Sequence, residues 1–497
     1  MLRWVTLPAG EWLPDQAALN NPGAITATNV IPTSAGYTPL SGSVTYSLAT
    51  GTPAADDYVR GAFAAKDVDN NVHVYCGDAA DLFRLSGTSW ANISKSAQGY
   101  SGTSTEEQWR FALWGNTVVA TNYNNYPQQM TMGAANFIDM TGPTNSFRAR
   151  YVAQIRDFMV FGGLFDNTEG SVPYRVRWSA FNNANNYTQS GATQSDFQDL
   201  YNGGWITGIE GGDYGVIWQE ASITKMIYEG PPRIFRFDRV EQNRGCRVPG
   251  SIVRYGESWF YLSDEDFYWF NGVQNIPIGA EKIARFFYAD LDDNYRHRVT
   301  SRVDPRRHLY MISYPGNGNS GGFPNKILIY NWVVSKWSIA EVQAGAMLNF
   351  LTPGQTLEDL DTFSASLDDL NNSLDSTTWK GGAPLLGAFN SNHRLYTFDG
   401  TPYDATVDTS ELRTENGTRH EVTNIRPLVE GGTTTVQVGH RALQTESPTW
   451  TSAISANSEG EHNTRVSDRF SRVRLNVTGA WQYIQGADVQ VSERGNR

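Results

Sequence analysis

Three heptapeptides share one pattern: DLFRLSG (Asp81–Gly87), DFYWFNG (Asp266–Gly272) and RLYTFDG (Arg394–Gly400). In each, an aromatic-rich strand alternates its faces and runs into a glycine, where a tight turn with positive φ costs little. Each follows a stretch that reads as a strand hairpin. Units beginning near Tyr58, Trp109, Tyr151, Trp205, Val248, Arg302 and Leu386 recur at roughly forty to fifty residues, the span of a four-stranded propeller blade. The spacing breaks across an acidic insertion near 341–379. The expected fold is all-β: a β-propeller of six or seven blades, with a pair of β-sandwiches as the alternative.

The bulk composition points the same way. A chain of 497 residues exceeds one small core. With 18% charged and 12% aromatic residues, 47 Gly and 21 Pro, it reads as turn-rich β structure rather than helix or disorder. Runs such as WRFALWGNTVVATN, DYGVIWQEASITKMIYEG and NKILIYNWVVSKWSI are each a strand or tight hairpin bounded by Gly, Asn or Asp. One short helix is expected in GAEKIARFFYADLDD, where Ile283, Phe286, Phe287 and Leu291 fall roughly on one face. Cys76 and Cys246 are too few for a disulfide framework and read as buried thiols made in a reducing cytoplasm. The opening MLRWVTLPAGEWLPDQ has no apolar signal core, and no run of about eighteen apolar residues occurs. A soluble protein without a secretion signal or membrane-spanning segment is expected.

Past Tyr403 the texture changes, dividing the chain into a propeller over 1–402 and a C-terminal β-sandwich-like domain over 403–497. From Ala405 onward ten basic residues balance eleven acidic ones. Strands alternate in TTTVQVGH, RFSRVRLNV and QGADVQVSE. In RFSRVRLNV, Phe470, Val473, Leu475 and Val477 are expected inward, with Arg472 and Arg474 facing water.

The C-terminal run PLVEGGTTTVQVGHR … RVSDRFSRVRLNVTGAWQYIQGADVQVSERGNR resembles the end of the tail hub or nozzle proteins of short-tailed bacteriophages, also described as packaged-DNA stabilisation proteins. SLDSTTWKGGAPLLGAFNSNHRLYTFDGTPYDATVDTSEL resembles the segment before it, CRVPGSIVRYGESWFYLSDEDFYWFNGVQNIPIG their propeller blades, and NPGAITATNVIPTSAGYTPLSG their N-termini. The resemblance is one of texture over nearly the whole chain, and no single motif in it is diagnostic. It implies a structural virion protein in the distal part of a short tail, synthesised in the host cytoplasm. It also implies a ring, a homohexamer, below the tail adaptor protein, with tail fibre or spike proteins as further partners. Double-stranded DNA would pass without sequence-specific binding, held in until ejection.

The acidic insertion is the first candidate site. Between Trp337 and Trp379 lie Glu341, Glu358, Asp359, Asp361, Asp368, Asp369 and Asp375, with no Lys or Arg. A calcium loop starting at Asp369 would need glycine at its sixth position and Glu at its twelfth, where Leu374 and Lys380 stand. A Ser-, Asn- and Thr-rich stretch is also a poor platform for paired catalytic carboxylates. Two readings remain, an outward solvated loop and a negative lining of the DNA path. In the second, Asp359, Asp361, Asp368, Asp369 and Asp375 face the channel, where repulsion of phosphates keeps the strand from sticking.

The second candidate is YRHRVTSRVDPRRH, whose Arg296, Arg298, Arg302, Arg306 and Arg307 form a docking strip for an acidic neighbour or the solvent faces of strands. Its His297 and His308 have no partnering spacing for zinc. No nucleophile elbow, phosphate loop or paired CxxC occurs, so no cofactor, no metal and no catalytic residues are expected. Trp90, Trp114, Trp178, Trp218, Trp259, Trp332 and Trp337 read as blade packing. Aromatics at a propeller mouth could instead stack on sugars, which makes a glycan-binding, lectin-like tail component the alternative function.

Overall fold

The computed structural model describes residues 2–17, 21–46, 58–95, 99–100, 104–351, 366, 384–414 and 417–494. Seven four-stranded antiparallel meanders surround a common axis. Their innermost strands are Gly61–Lys66, Arg110–Trp114, Phe147–Ile155, Ile206–Glu210, Val253–Tyr255, Thr300–Asp304 and Leu348–Leu351. Six of the meanders are self-contained sheets. The sixth in chain order runs on through its outer strand Lys336–Ala340, which pairs parallel with Ala27–Thr28, into the sheet of the C-terminal region. The chain is a β-propeller with an added C-terminal sheet-rich region. Six of the seven expected unit starts fall within a few residues of an inner strand. The seventh, Leu386, lies on a second strand, Pro384–Phe389, because the acidic insertion separates the first two strands of that blade.

Strand periodicity builds the ring. In Leu309–Tyr314 of the sixth blade every residue is buried. Leu309 and Met311 pack with Met347, Ala388 and Tyr396 of the seventh blade, while Tyr310, Ile312 and Tyr314 pack towards the fifth. Successive side chains point to opposite faces, so a strand sandwiched between two blades must be apolar throughout. Each junction has its own core: Val74, Cys76 and Phe83 meet Leu348 and Phe389, and on the other face Tyr75 and Leu82 meet Trp109 and Val118. The tryptophans expected to pack blades do so. Trp90, Trp178, Trp218, Trp259 and Trp337 are buried, and Trp114 and Trp332 are half-buried against core clusters. Cys76 and Cys246 are both buried and free.

Two of the three heptapeptides are third strands that turn at glycine, Gly87 at φ +58° and Gly272 at φ +84°. The third is not. Leu395–Pro402 runs straight through Gly400, because its fourth strand comes from the N-terminal part of the chain: Ser41–Thr45 pairs with it and closes the ring.

The strands also divide the chain differently from a cut at 402. Leu2–Pro8 pairs residue by residue with Gly486–Ser492, and Tyr37 pairs with Ile484. Trp12, Val30 and Tyr37 are buried in the cluster that holds Val422, Leu475 and Trp481. The N-terminal segment covers apolar surface that the C-terminal region would otherwise expose. RFSRVRLNV and QGADVQVSE belong to one strand, Phe470–Glu493, which pairs along its length with His420–Arg441. The ribbon bends at Gly431 and Gly432, both with positive φ, opposite Thr478 and Trp481. Its two arms bury Val422, Ile425, Val436, Val473 and Val489 in one core, a sandwich made from a folded hairpin. Val473, Leu475 and Val477 face inward as expected. Arg472 does not face water: it is buried 3.8 Å from Glu411, and Arg474 donates to Asp408 at 2.7 Å, because Asp408 and Glu411 lie on the segment that pairs with this strand.

Candidate functional site: the central cavity

The inner strands of all seven blades converge on a cavity of about 420 Å³. An inner strand has one blade interface on each side, and the cavity takes the side chains that serve neither. Its charged lining is Arg60, Arg110, Glu210, Arg254 and Arg302, joined by His297 from the short 3₁₀ segment Asp293–Arg298 that leads into the sixth blade.

Two of the four arginines are committed. Arg254 donates from Nη2 to Glu257 at 2.6 Å, from Nε to the Gly256 carbonyl at 2.7 Å and from Nη1 to the Gly211 carbonyl. Arg60 donates to the Ser104 carbonyl at 2.7 Å and lies over the Tyr58 ring. The other two are not. Arg110 lies 5.9 Å from the Tyr151 ring centroid, and Arg302 donates to the carbonyl of its neighbour Ser301 at 2.7 Å. Neither makes an ion pair among the described residues.

The electrostatics follow from that crowding. Burial, then the like charge of Arg110, brings the Arg302 guanidinium down to about 10, with Glu210 opposing the shift. Burial also pushes the Glu210 carboxyl up, held back by Arg254, Arg110 and Arg302. One carboxylate thus serves three guanidiniums. His297 is held below its usual range by burial and by Arg298, and its Nε2 is buried without a hydrogen-bond partner.

The five arginines of the expected docking strip are dispersed. Arg302 lines the central cavity. Arg298 lies 3.9 Å over the Tyr58 ring and donates to Gly321 O, and Arg296 is exposed, 3.7 Å from Asp293. Arg306 and Arg307 are exposed in the turn after Thr300–Asp304, where Arg307 reaches Ser41 Oγ at 3.1 Å. A two-residue period on a strand and a turn in the middle send neighbouring arginines to different places.

The acidic candidates Asp359, Asp361, Asp368, Asp369 and Asp375 lie outside the described residues. The described residues that bracket them, Leu351 and Pro384, face each other in a strand pair. They sit at the same end of the ring as Gln154, Arg156 and Gly211, where the first strand of each blade turns into its second. The opposite end carries aromatics. Tyr201 is 67% and Trp205 55% exposed, and Tyr123 lies 3.9 Å beneath the Arg150 guanidinium, itself paired with Glu107.

Arg60, Arg110, Glu210 and Arg254 were not singled out from sequence. The signal was present: in RFALW, ITGIE and VRY a charge interrupts the first strand of a blade, where the only polar surroundings are the cavity. Among the described residues no group of three or more His, Cys, Asp or Glu is placed to hold a metal ion, and no helix is long and apolar enough to cross a membrane.

The strand pairing makes the protein a β-propeller. No protein-family model matches the chain, and no curated protein sequence matches it. Among solved structures it is similar to the WD40 domain of Neurospora crassa Pan2, at 9% identity and TM-score 0.39, covering 74% of this chain and 96% of that one. It is also similar to BamB from Moraxella catarrhalis, at 11% identity and TM-score 0.35, covering 74% and 93%. A third is the computationally designed protein Ika8, at 7% identity and TM-score 0.34, covering 69% and 96%.

Proposed function

We propose that the chain is a structural subunit of a short phage tail, a nozzle or hub protein that assembles side by side into a ring below the adaptor. On this reading it extends the DNA channel, retains the packaged genome and opens on host contact. It is not an enzyme, and its work is mechanical. The observation that carries the reading is the way the two ends of the described chain clamp the propeller. Leu2–Pro8 and Ser41–Thr45, both from the N-terminal segment, tie the C-terminal ribbon and the last blade together. The segment resembling the tail proteins' C-terminus is the ribbon that makes this clamp.

The DNA path on this reading is the axis of the ring and not the hole in each propeller. A 420 Å³ cavity lined by arginines has no room for a duplex whose major groove alone is about 12 Å wide, and it would grip phosphates. Leu351 and Pro384, the described residues that flank Asp359 to Asp375 in sequence, lie at one end of the propeller, and a negative collar facing the axis is our reading of the acidic segment between them. Arg296, Arg306 and Arg307 are exposed cations available to an acidic partner such as the adaptor or the next subunit.

Immunogold labelling of intact, negatively stained particles with an antibody to the purified chain tests the proposal. Label at the distal end of a short tail is expected; absence of label from every particle overturns it. The second reading, a glycan-binding propeller, is favoured by exposed Tyr201 and Trp205 at one end of the ring. Label on lateral appendages, with saturable glycan binding lost in Trp205→Ala, would select it.

A further inference from the structure

The central cavity brings together four arginines and one carboxylate in a volume of about 420 Å³. Arg254 is matched by Glu257 and two carbonyls, and Arg60 by Ser104. Arg110 and Arg302 are left lining the cavity, with Glu210 as the carboxylate that offsets both. Both guanidiniums are half-buried, and a charge partly withdrawn from water without a matched partner is costly. Glu210 does not remove that cost, because it is itself disfavoured in its charged form and already interacts with Arg254. A guanidinium presents parallel N–H donors whose spacing matches the two oxygens of a carboxylate or phosphate. Arg110 from the second blade and Arg302 from the sixth line one cavity with His297, whose Nε2 is buried without a partner, and together they make a cradle for an oxyanion.

We propose that the propeller's central cavity is a binding site for a small oxyanion, a phosphate or carboxylate group held between Arg110 and Arg302. The seven inner strands ring the site in a volume of about 420 Å³, so its ligand is a small molecule or a terminal group. Binding would lock together the second and sixth blades, which share no strand pairing, through one bridging anion. The inference is independent of the tail reading: it concerns the interior of one chain and holds in a monomer.

Thermal unfolding and calorimetric titration of the full-length chain with sodium phosphate, and separately sodium malonate, against sodium chloride at matched ionic strength test it. The expected result is a saturable rise in the unfolding midpoint with one stoichiometric site, as ligand linkage requires. Arg110→Gln and Arg302→Gln should each weaken binding at least tenfold. Arg302→Lys keeps the charge but loses the fork; it should also bind weakly, and it carries the comparison if the Gln variant does not fold. A response to phosphate alone makes the ligand a phosphate ester, and a response to malonate alone makes it a carboxylate; either supports the site. No saturable response to either anion, or equal responses in the wild type and the Arg110→Gln and Arg302→Lys variants, overturns it.

Discussion

Gly42 and Gly400 face each other across the strand pair that closes the propeller, and each leaves room for the other's backbone. A Cβ on Gly42 would lie 2.3 Å from the Thr401 carbonyl oxygen, and one on Gly400 would lie 3.1 Å from the Gly42 carbonyl oxygen. Gly42→Val should therefore destabilise the chain by about 1–3 kcal/mol, the usual cost of overpacking. Gly191→Ala, where a Cβ meets nothing within 4 Å, is the control and should stay within about 0.5 kcal/mol of wild type. Urea denaturation midpoints read both.

In the C-terminal ribbon, Arg441 grips Glu411 with two parallel hydrogen bonds of 2.8 Å, and Arg472 lies 3.8 Å from the same carboxylate. All three are buried to within a tenth of full exposure. Glu411→Gln leaves two buried guanidiniums without their counter-ion. It should cost about 3–5 kcal/mol, the range for breaking a buried pair from one side. Glu461→Gln, which removes the partner of the exposed Arg426, should cost far less.

Asp266, the first residue of DFYWFNG, accepts from the Phe267 N–H at 2.7 Å while its other oxygen is buried without a partner. Burial raises its carboxyl to about 6, against the lowering effect of three backbone N–H groups. The folded chain therefore holds a proton that the unfolded chain releases near pH 4. The stability this confers is present below about pH 4 and is lost as pH rises through about 6. Asp266→Asn should flatten that part of the stability–pH curve, measured by denaturation at half-unit steps of pH.

If the acidic insertion lines the DNA path of a tail ring, neutralising it should make DNA stick. Phage carrying Asp359, Asp361, Asp368, Asp369 and Asp375 all changed to Asn should eject more slowly, with the difference shrinking as salt rises. Ejection and genome retention identical to wild type would remove the collar from the proposal while leaving the ring intact.

Most of the ring was legible because a blade repeats simple rules. Alternation in Leu309–Tyr314, turns at Gly87 and Gly272, and aromatic third strands all act over a few residues. What was not legible acts over long separations. Nothing local in SGSVT says that it completes a blade begun at Leu348, and nothing in LRWVTLP says that it lies along Gly486–Ser492. RFSRVRLNV read as half-exposed because Asp408 and Glu411, which cover its arginines, are over sixty residues away in sequence. The dispersal of the arginine strip has the opposite cause. Arg296, Arg302 and Arg307 are close in sequence, yet a 3₁₀ segment, a strand and a turn send them to a loop, a cavity and a neighbouring blade.

The seam at Ser41–Thr45 has a consequence for how the molecule is made. Its partner strand follows about 350 residues later, so a ribosome delivers six blades before the ring can shut. Until then the apolar flank of the first blade, with Val74, Cys76 and Phe83, has no neighbour. An unfinished chain is an open fan with two sticky edges, one of them waiting for the last blade. Closure is a late, cooperative event that depends on chain completion, and a nascent chain stalled short of Leu395 should be aggregation-prone where the full-length protein is not.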